Sequence, residues 1–469
     1  MLIPFLAQTT TSAVSADEVL SPYIYVFYAA FLVSFIFTPI MRTVAMYYNI
    51  IDEPDTVRKM HSTPVAYLGG VAVFLGWIAG LALSQFLSLH RSEPGLLPYV
   101  HVRFSIVVGA CVIVLLGLWD DIQRINPWVK IGGQVFAAVC LLIEGVGIRC
   151  AGPLLNPLGN RIQLLLGPSV LASLGLPAAP AELFPSWFIA GFSSAMVIAL
   201  VVFCCNATNL MDGLDGLCGG VTAIIAGGFL FLAVHMAMYG GGLNSNWDAL
   251  RVVLGLALLG ALLGFVPYNF NPASIFMGDT GSMFLGFACA TTLILMAQDR
   301  PKWFLASSVM FALPVLDTIL AFARRYVNGR PVFSPDKFHF HHQLVARGFS
   351  VKKTVLISYT LAIGFALLGA TIVFMRTRYA VAVYLVVFGS IIVAAYKMGM
   401  VHERPRVVTR NPLDADDMTA ATGATIDSSN VLEVRDRRRA DEPGEVELEP
   451  RGDGARREAV RHESAGTVR

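Results

Sequence analysis
Asn206-Ala-Thr-Asn-Leu-Met-Asp-Gly-Leu-Asp-Gly-Leu217 lies between two apolar runs, 187–205 and 218–239. Each run is near the length that crosses the hydrocarbon core of a bilayer, so the stretch reads as a short connection at a membrane face. Two amides and two carboxylates, Asn206, Asn209, Asp212 and Asp215, recur at every third position. On a helical turn that spacing drifts only slightly, which lets all four point to one side. Gly213 and Gly216 leave room beside the carboxylates for a bulky polar ligand to approach the backbone. A helix-capping turn is the simpler reading, but such a turn does not need this regularity.

The rest of the chain has the same character. Hydrophobic residues make up 55% of the 469 and charged ones only 14%, with a mean hydropathy of +0.64, as in an integral membrane protein. About eleven apolar segments approach spanning length: 23–43, 65–86, 104–119, 128–148, 187–205, 218–239, 250–268, 282–296, 303–322, 354–374 and 378–398. Trp77, Trp119, Trp128, Trp187 and Trp303 mostly fall near their ends, as interfacial aromatics do. The expected fold is an all-α polytopic membrane protein with about eleven transmembrane helices and cytoplasmic catalytic loops.

Alternating connections then share a side. Segments 41–64, 120–127, 206–217, 269–281 and 324–353 fall together and hold nearly all the distinctive polar residues. The opposite connections, such as 149–186, read as Gly-, Pro- and Leu-rich loops lying against the outer face. Basic residues crowd 324–353, which places the first set in the cytoplasm and the protein in the plasma (inner) membrane. Residues 1–22 form an N-terminal extracytoplasmic segment without the basic region of a cleaved signal. The catalytic domain is 23–400, and the polar stretch 401–469 reads as a disordered cytoplasmic tail. A net charge of +2 with no basic stripe gives no sign of a nucleic-acid partner. The seven cysteines lack metal-site spacing and read as small core residues.

The cytoplasmic loops carry the chemistry. Arg58-Lys-Met-His-Ser-Thr-Pro64, with Lys59, precedes Gly69-Gly70 and has the look of a shaped loop rather than plain positive decoration. In Gly117-Leu-Trp-Asp-Asp-Ile122, Asp120 and Asp121 repel each other and the helix C-terminus, an arrangement that calls for a cation; two solvated acids are the alternative. Asp279, between Gly278 and Thr280-Gly281, is suited to a hard metal. His339, His341 and His342 with Lys337 form a donor-rich patch for phosphate oxygens. A zinc site is the competing reading, though the histidines lack the usual co-ligands. Acids for Mg²⁺ and bases for phosphate on one face of a membrane core describe phosphoryl transfer with a diphosphate substrate.

These residues also resemble the polyprenyl-phosphate N-acetylhexosamine-1-phosphate transferases, glycosyltransferase family 4. The likeness rests on Asp120-Asp121, Asn206 to Leu217, Gly278-Asp-Thr-Gly-Ser282, Pro314-Val-Leu-Asp-Thr318 with Arg324-Arg325, and His339-Phe-His-His342, in order over roughly 25–400. The His-x-His-His element is similar to that of the WecA/TagO branch, which moves GlcNAc-1-phosphate from UDP-GlcNAc to undecaprenyl phosphate and releases UMP. The branch that makes lipid I usually has Thr-Met-Gly-Gly where this chain has Tyr67-Leu-Gly-Gly70.

The resemblance implies Mg²⁺, with Mn²⁺ as a substitute, on Asp279 and Asp212. Asp120 or Asp121 would lie close to the lipid phosphate as base or second ligand. Asn206, Asn209, Asp212 and Asp215 would line the donor pocket, with Lys59 and Asn269 near it. His339, His341, His342 and Arg325 would face the sugar diphosphate. Implied partners are a UDP-N-acetylhexosamine, a polyprenyl phosphate and the bilayer; a homodimer is compatible with the chain and not demanded by it. The product would open a cell-envelope polysaccharide such as lipopolysaccharide or teichoic acid. Transfer of phospho-MurNAc-pentapeptide or another UDP-N-acetylhexosamine is the near alternative. A proton-coupled secondary transporter is the remote one, since it would place acids mid-span and show an inverted repeat.

Overall fold
A computed structural model describes residues 15–52, 64–90, 100–173, 183–239, 246–329 and 339–397. In chain order these form α1 (Ala16–Leu20), α2 (Ile24–Tyr47), β1 (Ile51–Asp52), β2 (Val65–Ala66), α3 (Gly69–His90), α4 (Phe104–Gln123), α5 (Pro127–Ile143), α6 (Gly152–Ser173) and α7 (Ser186–Met211). There follow α8 (Leu217–Tyr239), α9 (Asn246–Asn269), α10 (Gly278–Ala297), α11 (Pro301–Met310), α12 (Ala312–Val327), α13 (Phe340–Ala346), α14 (Val351–Val373) and α15 (Thr377–Lys397). The expected all-α polytopic class holds. The tail from 401 and the first loop with Lys59 lie outside the described residues.

Among the described residues eight helices are long and apolar enough to cross a membrane, nine if the bent pair α11 and α12 counts as one. The expected eleven is not reached on that criterion, because α5 and Thr377–Val393 are apolar but shorter. The segment expected as one span at 303–322 is broken: α11 and α12 meet at 75° around Phe311. Pro314 explains the break, since it has no N–H to donate and its ring crowds the carbonyl four residues back, at Met310. The segment 149–186, expected as a loop, contains α6, with Gly167 at φ 72 inside it.

Helix α10 is the buried axis. Its apolar window is wholly enclosed, and α3, α4, α7, α8, α9 and α11 pack around it. Small residues make that crowding feasible, as between membrane helices generally. A Cβ on Gly70 of α3 would stand 2.1 Å from the Gly281 nitrogen, and one on Gly286 would stand 2.4 Å from the Cys204 carbonyl oxygen. The outer helices show the opposite composition. Tyr28, Leu32 and Ile36 of α2 and Leu361 and Leu367 of α14 are exposed, as side chains facing lipid would be.

Two ends of the bundle hold buried charge. At the start of α9, Arg251 is 1% exposed; it binds Asp248 (2.5 Å), the Leu295 carbonyl (2.7 Å) and Asp299 (2.7 Å) beyond the end of α10. At the other end a two-stranded antiparallel sheet pairs Ile51 with Ala66, and Ala66 bridges to Ile275. Gly69 and Gly70 then donate to the Phe276 and Met277 carbonyls, which fixes the approach to Asp279.

Candidate active site
The first turn of α10 gathers the acidic motifs. Asp121, in the last turn of α4, accepts hydrogen bonds from the Asp279 nitrogen (2.7 Å), the Thr280 nitrogen (3.0 Å) and Thr280 Oγ1 (2.6 Å). It therefore satisfies the open N–H groups of α10 as a capping carboxylate does. Gly278 permits this: its φ is 71, and a Cβ there would stand 2.6 Å from Asp121 Oδ2. Asp120, beside it, is buried and accepts from the Ile125 nitrogen at 2.8 Å. Lys130 of α5 joins the two motifs, pairing with Asp120 and lying 2.7 Å from Asp279 Oδ2.

Helix α7 runs six residues past the expected end of its span, so Asn206 and Asn209 lie on helix rather than in a loop. The expected single face of four does not form. Asn209 Nδ2 donates to Asp279 Oδ1 (2.9 Å) and Ser282 Oγ (3.0 Å), while Asn206 turns away to Gln134 of α5 (2.8 Å). Asp212 follows the last helical residue. Among the described residues no hydrogen bond reaches its carboxylate, and burial with the nearby charges of Asp279, Asp121 and Asp215 pushes its pKa up to about 8. Asp215 faces another way, accepting from Asn271 Nδ2 (2.8 Å) and the Ala273 nitrogen (3.1 Å).

The reason is local. Once α7 ends, the chain turns at Gly216, at φ 77, and helical phasing is lost. Asn269 holds that turn: it accepts from the Gly216 nitrogen (3.1 Å) and donates to the Ile275 carbonyl (3.0 Å). Tyr359 of α14 donates to the Gly216 carbonyl at 2.6 Å.

The histidines enter on α13. Asp317 of α12 is buried, and its carboxylate binds His339 Nδ1 (3.1 Å) and the Phe340 nitrogen (2.8 Å). His341 is also buried. A Cβ on Gly213 would stand 2.4 Å from its Nε2, so this ring is seated directly against the Asp212 turn. Burial, the largest cause, holds the imidazole well below its usual range, at about 3. The His342 ring centre is 4.3 Å from that of His341. Arg325 is buried in α12, 5.7 Å from the centre of the Phe322 ring.

The structure thus brings together Asp120, Asp121, Asn209, Asp212 and Asp279, with His341 beside Asp212. It gives Asn206, Asp215 and Asn269 partners within the scaffold. Lys130 and Asp317 complete the site; Lys130 was not singled out from sequence, and Asp317 stood only within the Pro314–Thr318 stretch, without a role of its own. Their signal is an ionised residue inside an apolar segment, which is costly unless paired. A cleft of about 370 Å³ opens here, lined by Ile51, Asp52, Tyr67, Asp120, Asp121, Arg124 and Asp279.

Among the described residues no three acid, His or Cys side chains converge as a finished metal cage. Mg²⁺ does not need one, since it is usually held by one or two carboxylates, waters and substrate phosphates. Hard oxygen donors and the unpartnered Asp212 carboxylate fit such an ion.

The family model described as glycosyl transferase family 4 matches residues 103–297. A Bacillus subtilis protein named as a probable undecaprenyl-phosphate N-acetylglucosaminyl 1-phosphate transferase is 31% identical over 401 residues, covering 84% of this chain and 97% of that one. A decaprenyl-phosphate N-acetylglucosaminephosphotransferase of Mycobacterium tuberculosis is 34% identical over 72% of this chain and 78% of its own. A phospho-N-acetylmuramoyl-pentapeptide-transferase of Desulforudis audaxviator is 28% identical over 72% of this chain and 95% of its own.

Proposed function
We infer, from the premise that this chain belongs to glycosyl transferase family 4, that it transfers GlcNAc-1-phosphate from UDP-GlcNAc to a polyprenyl phosphate and releases UMP. The observation that carries the reading is the meeting of three motifs at Asp279, which Asn209 and Lys130 hold from two other helices. The relatives named for GlcNAc transfer are also more similar to this chain than the pentapeptide transferase is.

Asp279 and Asp212 would hold Mg²⁺, which when bound neutralises the donor diphosphate and stabilises the leaving UMP. An oxygen of the lipid phosphate attacks the β-phosphorus in line; the new O–P bond replaces the α,β-bridging bond, whose electron pair leaves with UMP. A phosphate monoester has a second pKa of about 6, so the nucleophile is largely ionised near neutral pH and little proton removal is needed. Asp120, held by Lys130 and the Ile125 nitrogen, is accordingly placed to orient rather than to deprotonate. Asp121 fixes the first turn of α10, and Asn209 fixes the Asp279 carboxylate. His339, held by Asp317, and His341, seated on Gly213, wall the donor side.

The multi-pass chain would work in the plasma membrane with this end toward the cytoplasm, where charged nucleotide sugars are confined by the bilayer. Its product would begin a cell-envelope polysaccharide. The test is UMP release by the purified protein with undecaprenyl or decaprenyl phosphate, Mg²⁺, and either UDP-GlcNAc or UDP-MurNAc-pentapeptide. Release with UDP-GlcNAc alone is expected. Release with the pentapeptide donor alone overturns the donor, and release with neither overturns the activity.

A further inference from the structure
Arg124 ends α4 three residues after the acidic pair, and the proposed reaction gives it no role. It is not glycine, yet its backbone is left-handed, at φ 49 and ψ 82, with its N–H donating to the Asp120 carbonyl. Such a conformation is unfavourable for a residue with a Cβ, and sites of function are where that strain collects. Its side chain is exposed and lines the 370 Å³ cleft, where it is the only cation among the described lining residues, facing Asp52, Asp120, Asp121 and Asp279. Among the described residues its guanidinium has no partner. The Tyr67 phenol across the cleft is already tied to Asp52.

The helix ends on either side of Arg124 carry exposed apolar side chains. Trp119 and Ile122, in the last turns of α4, are 49% and 54% exposed, and Trp128, in the first turn of α5, is 71% exposed. A cation without a partner among the described residues, set in an acid-lined cleft at a helix end that also carries exposed aromatic and aliphatic side chains, matches an amphiphile with a single phosphate at its head.

We propose that Arg124 is the acceptor-phosphate anchor: its guanidinium takes the phosphate of the polyprenyl phosphate at the cleft mouth, while Trp119, Ile122 and Trp128 meet the first isoprene units. This rests on the proposed transfer reaction and adds the side from which the acceptor enters. The donor would then come from the side of Asp212 and the histidines, none of which lines this cleft. A guanidinium is the fitting group, since its planar fork pairs two phosphate oxygens at once.

The test uses Arg124→Gln, Arg124→Lys and Arg124→Gly. Glycine removes both the charge and the backbone strain, so that variant keeps its fold or gains stability while losing the anchor. In the full-length protein KM for polyprenyl phosphate should rise about tenfold for Gln and Gly and less for Lys, with KM for UDP-GlcNAc unmoved. An acceptor KM within about twofold of wild type, or a shift in donor KM instead, overturns the assignment. Native mass spectrometry supplies an arm that needs no turnover. Wild type should retain polyprenyl phosphate over the polyprenyl alcohol of equal length, inorganic phosphate should not displace it, and Arg124→Gln should lose that preference. Equal retention of alcohol and phosphate by wild type, or a preference surviving in Arg124→Gln, sinks the anchor. A wild type that shows the preference but releases no UMP keeps the anchor and refutes the reaction.

Discussion

At one end of α9 and α10 a buried arginine is bound by acids and a carbonyl; at the other, buried and half-buried acids outnumber the lysine that joins them. Arg251 has Asp248, Asp299 and the Leu295 oxygen, and its charge is answered within the fold. Lys130 answers only part of the charge on Asp120, Asp121, Asp212 and Asp279, and Asp212 is left without a hydrogen bond among the described residues. A closed cluster holds helices together, whereas an open one is arranged for something that arrives from outside. The two kinds of cluster should therefore fail in different ways.

Asp279→Asn breaks the open end where the motifs meet. UMP release should fall by about a thousandfold, the scale expected when a preorganised charge at the reacting phosphate is lost, with thermal unfolding little changed. Full activity in this variant would remove Asp279 from the site. Arg251→Met breaks the closed end instead, taking the guanidinium away from the buried Asp248 and the Leu295 carbonyl. Stability in detergent should drop by about 3 kcal/mol, while UMP release per folded molecule stays at the wild-type level.

Asp212→Asn should have the opposite sign. A carboxylate that normally titrates near 4 is held at about 8, so the folded protein keeps a proton that the unfolded chain gives up. Stability is thus eroded as pH rises from about 4 through about 8. Without added metal, the Asn variant should be more stable than wild type at pH 8 by on the order of 2 kcal/mol, and the gap should narrow toward pH 5. Equal unfolding temperatures at both pH values would place the Asp212 carboxylate in ordinary solvent. The smallest effect belongs to Asp317→Asn, which loosens His339 without touching the acids. A roughly tenfold loss of kcat is expected, with the acceptor KM near wild type.

The same contrast explains what could be seen in the sequence. Asp120-Asp121, the stretch from Asn206 and Asp279 stand out because acids and amides repeat at short spacing beside glycines. Lys130, Asp317 and Arg251 are charges within apolar segments, and besides Asp120 near Lys130 and Asp248 near Arg251 their meaning comes from partners 149, 22 and 44 residues distant. No local period carries that information; only the high energy of an unpaired charge in an apolar run hints at it. Asn206 and Asp215 had the right chemistry, but the end of α7 at Met211 and the turn at Gly216 send them into the scaffold. The break at Phe311 was written in Pro314, and α6 was hidden by a Gly- and Pro-rich composition that usually means loop.

Mn²⁺ binding followed by electron paramagnetic resonance, with UDP-GlcNAc present, probes the open cluster most directly. Wild type and Arg251→Met should each bind one Mn²⁺ per folded chain, more tightly as pH rises toward 8, and Asp212→Asn should bind it at least about tenfold more weakly. Equal Mn²⁺ affinity in Asp212→Asn and wild type, with both proteins folded, would contradict the assignment of the catalytic metal to the open acidic end of the bundle.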